Sequence, residues 1–170
     1  MNLCISSAHG KFVRGARGII DEVDESRKVT NRVAELLRVN GHVVTVFHDD
    51  VSKSVSTNLS AIVGFHNRQT RDRDVSVHFN AFQRTTAPRG TEVCFLTQQA
   101  LAANISKAMA DAGGFINRGG KKRSNLSFLN RTAKPAVLLE VCFVDSTVDV
   151  DLYRSNYDRI CKAISDSIVS

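Results

Sequence analysis

Ala136-Val137-Leu138-Leu139-Glu140-Val141-Cys142-Phe143 is a continuous apolar run broken by one charge. A run of this length without alternation is the pattern of a strand covered on both faces. Outward from it, four more segments read as strands. Leu3 to Ser6 is short and apolar, Val43 to Phe47 is β-branched, and Val75 to Phe79 and Thr91 to Leu96 follow. Helical spacing separates them. From Asp21 to Asn40, Val29, Val33 and Leu36 or Leu37 recur at intervals of three and four, and Gly41 stops the helix. Asn58 to Gln69 carries Leu59, Ile62, Val63 and His66. Thr97 to Ala112 carries Leu101, Ile105, Ala108 and Ala112 and ends at Gly113-Gly114. Tyr153, Tyr157, Ile160, Ile164 and Ile168 form one face of a closing helix. Gly113 to Ser124 reads as a glycine-rich basic loop. Alternating strands and helices predict one α/β domain over residues 1–170. Its sheet is expected to be twisted and mostly parallel, with about five to six strands and helices on both faces.

Composition narrows the class. The 170 residues include 23 Lys and Arg against 17 Asp and Glu, a net charge of +6. With 42% hydrophobic and 24% charged residues, the usage is that of a globular domain rather than a disordered chain. No apolar run approaches the roughly 20 residues that span a bilayer, so no membrane partner is expected. Met1-Asn2-Leu3-Cys4-Ile5 lacks the basic start and long apolar stretch of a signal peptide. Cys4, Cys94, Cys142 and Cys161 show no C-x-x-C spacing, and three of them lie in apolar strand-like runs. They read as buried thiols, not as disulfides or a thiolate metal site. The basic clusters Arg68 to Arg73 and Arg118 to Arg123 suit an anionic polymer or simple solvation. Without Trp or aromatic–basic interleaving, nucleic acid is not the expected partner.

Three polar residues interrupt this pattern near strand ends. His9 follows the first strand, His78 sits in Val75-Ser76-Val77-His78-Phe79-Asn80-Ala81, and Glu140 interrupts the apolar run. Open α/β sheets build sites beyond the carboxyl ends of their strands, where parallel strands would bring the three together. A carboxylate among Leu138, Leu139, Val141 and Phe143 has to be protonated, paired or near a cation. Two histidines with one carboxylate form a catalytic zinc set that leaves a position for water, and a further acid then serves as general base. Glu22 and Glu25 open the first helix directly after the loop carrying His9. Either one could supply the ligating oxygen.

These segments resemble the zinc-dependent N-acetylmuramoyl-L-alanine amidases of the type-3 class, found in bacterial wall hydrolases and phage endolysins. Ser7-Ala8-His9-Gly10 is similar to the family's Gly-His-Gly. Asp74-Val75-Ser76-Val77-His78-Phe79-Asn80-Ala81 is similar to its Ser-x-His-x-Asn-Ala. Gly90-Thr91-Glu92-Val93 is similar to Gly-x-Glu-Val, and Pro135 to Phe143 resembles Pro-Ala-Val-Leu-x-Glu-x-Gly-Phe. Ala8 and Cys142 stand where the family has glycine, and Asp145-Ser146 where Ser-Asn is common. Cys142 would then bring a thiol close to the site.

The resemblance implies that His9 and His78 are zinc ligands and that Glu140 is the catalytic glutamate. The family's glutamate ligand precedes the helix-ending glycine by the interval between Glu22 and Gly41, which selects Glu22, with Glu25 as the alternative. Asn80 and Arg118 are candidate substrate contacts. The implied cofactor is one Zn²⁺. The implied reaction is hydrolysis of the amide between N-acetylmuramic acid and L-alanine, with peptidoglycan as partner. An endolysin made in the cytoplasm, or an excised domain of a secreted hydrolase, is the implied setting. A zinc carboxypeptidase or aminopeptidase with the same metal set, or more remotely a basic nucleic-acid binder, is the alternative.

Overall fold

The computed structural model describes residues 1–170. Six strands run along the chain: β1 (Asn2–Gly10), β2 (Val43–Asp49), β3 (Arg73–Asn80), β4 (Thr91–Phe95), β5 (Asn117–Lys122) and β6 (Ala136–Phe143). Six helices join them: α1 (Glu22–Val39), α2 (Val55–Asn67), α3 (Gln99–Gly113), α4 (Ser127–Arg131), α5 (Thr147–Ser155) and α6 (Tyr157–Ile168). The strand order is β2-β1-β3-β6-β4-β5. β2, β1, β3 and β6 are mutually parallel, whereas β4 is antiparallel to β6 and β5 runs parallel to β4. The sheet is mostly parallel, as expected, and is mixed only through the antiparallel pairing of β4 with β6. Its reversed pair of strands brings the start of β4, rather than its end, to the carboxyl ends of β1, β3 and β6.

Strand alternation splits the core. Leu3 and Ile5, Val75, Val77 and Phe79, and Val137, Leu139 and Val141 pack with α1, α3 and α6 in the larger cluster. Leu138, Ala136 and Cys94 face the other way and meet Ile62, Phe128 and Leu129 of α2 and α4 in a smaller one. Helices thus cover both faces. The pairing of β3 with β6 slips between His78↔Glu140 and Asn80↔Phe143, so the residues beyond Val141 change face. Cys142 turns into the larger cluster and does not border the cavity beside Glu140, contrary to expectation. All four cysteines are free and buried. Burial pushes the Cys4 and Cys161 thiols up to about 12 and that of Cys94 to about 11.

Caps explain several boundaries. Asp21 lies outside α1 as its N-cap and accepts from the Val23 and Asp24 amides, while acids fill the first turn. α2 begins at Val55, earlier than the apolar spacing indicates, because Ser54 and Thr57 close a capping box. The closing helix is two helices. Asn156 separates α5 from α6, and its side-chain amide donates to the carbonyls of Leu152 and Gly113. The expected basic loop contains β5. Asn117-Arg118-Gly119-Gly120-Lys121-Lys122 has no β-branched residue, yet it pairs with β4 at the sheet edge. Gly120 leaves room there for Phe95 and Ala102, which a Cβ would approach to 3.2 and 3.3 Å.

Candidate functional site

β1 continues to Gly10, so His9 lies within the strand, not after it. It holds a positive φ of 55°, a sparsely populated conformation for a residue with a side chain. The loop after β1 folds back on the start of α1. The Ala16 amide donates to Glu22 Oε2 at 2.6 Å, and the Phe79 amide donates to Oε1 at 3.2 Å. Gly15 packs against both side chains, where any Cβ would collide with the Glu22 carboxylate and the His9 ring. Glu22 is 3% exposed. His78 Nδ1 lies 3.0 Å from Glu22 Oε1, and His9 Nε2 lies 3.2 Å from Oε2. One donor atom from each of the three residues fits within 4.8 Å of the others. Burial alone would raise the Glu22 pKa, but hydrogen bonds from His78 and His9 outweigh it and hold the carboxyl far below its usual range.

Glu140 stands opposite His78 on one side and Glu92 on the other in the strand registers. Its Oε2 is buried without a hydrogen-bond partner. Burial, reinforced by the Glu22 and Glu92 carboxylates and opposed by Arg123, pushes its pKa well above the ordinary value. His9, Glu22, His78 and Glu140 border one cavity of about 390 Å³. Leu59, Ile62, Val63 and Phe128 form its apolar wall.

Glu25 is directed elsewhere. Tyr153 Oη donates to its Oε2 at 2.9 Å and Lys28 Nζ to its Oε1 at 2.7 Å, and it does not border the cavity. Asn80 does border it, and its amide lies 3.5 Å from Glu92 Oε1. Arg118 Nε donates to Glu92 Oε2 at 2.6 Å. Glu92, 2% exposed, is the functional candidate that the sequence reading left without a role. Its signal was the same as that of Glu140, an acid within an apolar strand-like run, here Thr91-Glu92-Val93-Cys94-Phe95, all of it buried in the fold.

Cys4, His66 and Asp74 form a second cluster with metal-binding side chains. Arg71 already clasps that carboxylate through Nε at 2.6 Å and Nη2 at 2.9 Å, and His66 Nδ1 lies 2.8 Å from it. The Arg71 guanidinium occupies the carboxylate that a metal ion would need, and the cluster is a buried ion-pair network.

The family model for N-acetylmuramoyl-L-alanine amidase matches residues 3–170. The chain belongs to the N-acetylmuramoyl-L-alanine amidase family. Two curated Clostridium perfringens relatives agree in length of match. An uncharacterized 38.4 kDa protein is 34% identical over 100% of this chain and 54% of its own length. The uncharacterized protein CPE1502 of strain 13 is 32% identical over 99% of this chain and 51% of its own. The chain thus spans about half the length of these relatives. Among solved structures, the catalytic domain of the CD27L endolysin targeting Clostridia difficile has a TM-score of 0.90 at 25% identity, covering 99% of this chain and 97% of that one. The catalytic domain of CwlV, an N-acetylmuramoyl-L-alanine amidase from Bacillus (Paenibacillus) polymyxa var. colistinus, has a TM-score of 0.83 at 25% identity over 99% and 96%. This amidase family is zinc-dependent. No helix here is long and apolar enough to cross a membrane.

Proposed function

We propose that this chain hydrolyses the amide joining the lactyl group of N-acetylmuramic acid to L-alanine in peptidoglycan. The observation that carries the reading is the pairing of two unlike carboxyls in one cavity. Glu22 is held ionised by two imidazoles, and Glu140 is left with an orphaned oxygen and a raised proton affinity.

The donor set fits zinc. Two imidazole nitrogens and one carboxylate oxygen are the ligand types of an open catalytic site, and their mutual spacing allows one ion to reach all three. His9, Glu22 and His78 would hold it. Zinc bound there polarises a carbonyl and acidifies a water molecule. Phe79 and Ala16 amides fix the Glu22 carboxylate, so its orientation does not depend on the metal. Glu140 accepts a proton as the water oxygen attacks the amide carbon. When the C–N bond breaks, Glu140 delivers that proton to the departing alanyl nitrogen. The products are a lactyl carboxyl group and a free L-alanine amine. Leu59, Ile62, Val63 and Phe128 keep bulk water away from this exchange.

Peptidoglycan as partner and an endolysin-like setting are supported by the family and by the likeness to the CD27L catalytic domain. The test pairs zinc content with release of new L-alanine amino termini from purified peptidoglycan. The parent is expected to hold one zinc and release those termini. Glu140→Ala is expected to keep zinc and lose release. A parent that binds no zinc, or that frees other termini, refutes the proposal.

A further inference from the structure

A second cavity, about 350 Å³, opens on the far side of Asn80 and Ala81, the two residues that border both spaces. Its character is opposite to the first. Arg89, Arg118 and Arg123 line it, with Glu92 as the one acid and Phe82 and Phe143 as the aromatic residues. Three cations against one anion leave it positive.

The arginines are held in place. The Glu92 carboxylate grips Arg118 Nε at 2.6 Å, and the guanidinium lies 5.2 Å from the centre of the Phe143 ring. Arg118 still keeps 39% of its side chain exposed, so it can meet a ligand. Arg89 lies between Phe82 and Phe143, at 4.9 and 5.8 Å from their ring centres. Its Nε is buried without a partner. The backbone beneath is pinned, since the Arg89 and Gly90 amides donate to Asp149 at 3.0 and 2.9 Å. Ser146 Oγ donates to the Ala87 carbonyl at 2.9 Å, and the Phe82 amide donates to Asp145 at 2.8 Å. Phe82 itself is 77% exposed, a ring presented to solvent at the cavity edge.

We infer that this cleft receives the peptide side of the substrate and binds the free α-carboxylate of the residue after L-alanine, a γ-linked D-glutamate. The inference rests on the amidase reading above. Its chemical basis is the charge of the two halves of the substrate. Once the lactyl carboxyl is in amide linkage, the sugar side is neutral, whereas the peptide side carries carboxylates. A positive cleft beside the scissile bond therefore fits the peptide side. Asn80 and Ala81 border both cavities, so the cleft directly adjoins the space where the scissile amide would sit. Arg118 and Arg89 offer forked donors suited to a carboxylate, and Arg123 adds charge.

Two soluble substrates test this: N-acetylmuramoyl-L-alanyl-D-glutamate, and the same compound with the α-carboxylate converted to the carboxamide. The zinc-loaded parent is expected to favour the acid by about tenfold in kcat/KM, mainly through KM. Arg118→Gln and, separately, Arg89→Gln are expected to bring that ratio towards one, and Arg118→Lys to keep part of it. The separate Arg89 variant leaves the Arg118–Glu92 pair intact, so disturbance of the catalytic carboxyls cannot account for its result. A parent that cleaves both compounds equally, or variants that keep the parental ratio, overturns the carboxylate subsite while leaving the amidase reading in place. A parent that cleaves neither overturns the amidase reading and the subsite with it.

Discussion

Glu140→Gln should make the metal-free protein more stable as pH rises, while abolishing its activity. The parent carries Glu140 Oε2 buried and unpartnered, near the carboxylates of Glu22 and Glu92. Burial and those neighbours raise its pKa in the fold, so the native state holds the proton more tightly than the unfolded chain, whose glutamate titrates near about 4.3. Below that value both states are protonated and the favourable difference is fully present. As pH climbs, the unfolded chain releases its proton first, and native stability falls until the raised native value is passed. Glutamine cannot titrate. Its uncharged amide keeps the shape and adds only a pH-independent offset. An unpartnered buried carboxylate costs about 1–3 kcal/mol relative to the neutral group. For a chain of 170 residues, that is roughly 2–12 °C in Tm. Thermal unfolding of both proteins in chelator, at pH 5 and pH 8, reads the change in the gap. Release of L-alanine termini by the zinc-loaded proteins should fall by at least about 100-fold. A gap that stays constant with pH, or that moves in the parent's favour, refutes the charge assignment to Glu140.

Three further outcomes are expected. Glu22→Gln should abolish tight zinc binding, whereas Glu25→Gln should retain zinc and activity, because Glu25 is occupied by Tyr153 and Lys28; elemental analysis after dialysis separates them. Gly15→Ala should weaken zinc affinity by about 10–100-fold without unfolding the protein, since its methyl group collides with the Glu22 carboxylate and the His9 ring; competition with a chromogenic chelator measures it. Asp74→Asn should destabilise the fold by about 3–5 kcal/mol in urea, because Arg71 would remain buried beside a neutral partner. That last effect should shrink in acid: His66 and Arg71, opposing burial, hold the Asp74 carboxyl below its usual range, so its stabilisation is lost as pH falls through the native value.

The apolar octet from Ala136 to Phe143 and the helical spacings were legible because burial on both faces leaves a continuous hydrophobic signal. His78 and Glu140 stood out for the same reason, as polar residues where that signal should be unbroken. β5 was not legible. An edge strand needs to satisfy only one neighbour, and the requirement at Gly120 is the absence of a side chain beneath Phe95 and Ala102. The break at Asn156 was hidden because Tyr153 and Tyr157 keep helical spacing across it, with their ring centres 5.8 Å apart. The Cys142 thiol was misplaced because a register slip between β3 and β6 reverses which face a residue takes, and no residue pattern announces that slip. Glu25 remained an alternative to Glu22 for a related reason. One helical turn separates them, and only their partners in the fold distinguish their surroundings: the His9 and His78 rings and the Ala16 and Phe79 amides meet Glu22, whereas Tyr153 and Lys28 hold Glu25.

The reversal of β4 accounts for the chemistry more than any single residue does. Were β4 parallel to β6, its start would lie at the opposite end of the sheet, and Glu92 could not stand beside Glu140. Thr91 Oγ1 donates to the Glu140 carbonyl at 3.0 Å and ties the two strands at that level. Three carboxyls then share one end of the sheet and differ mainly in their partners. Glu22 has two imidazoles and two backbone amides; Glu92 has a guanidinium and the Asn80 amide; Glu140 has an oxygen with nothing. Like charges so placed cannot all ionise freely, and the proton settles on the carboxyl with the fewest donors. Under the proposed mechanism, that asymmetry divides the work. The best-satisfied acid is fixed as a ligand, the next anchors an arginine towards the peptide, and the unsatisfied one is left able to take up and release a proton.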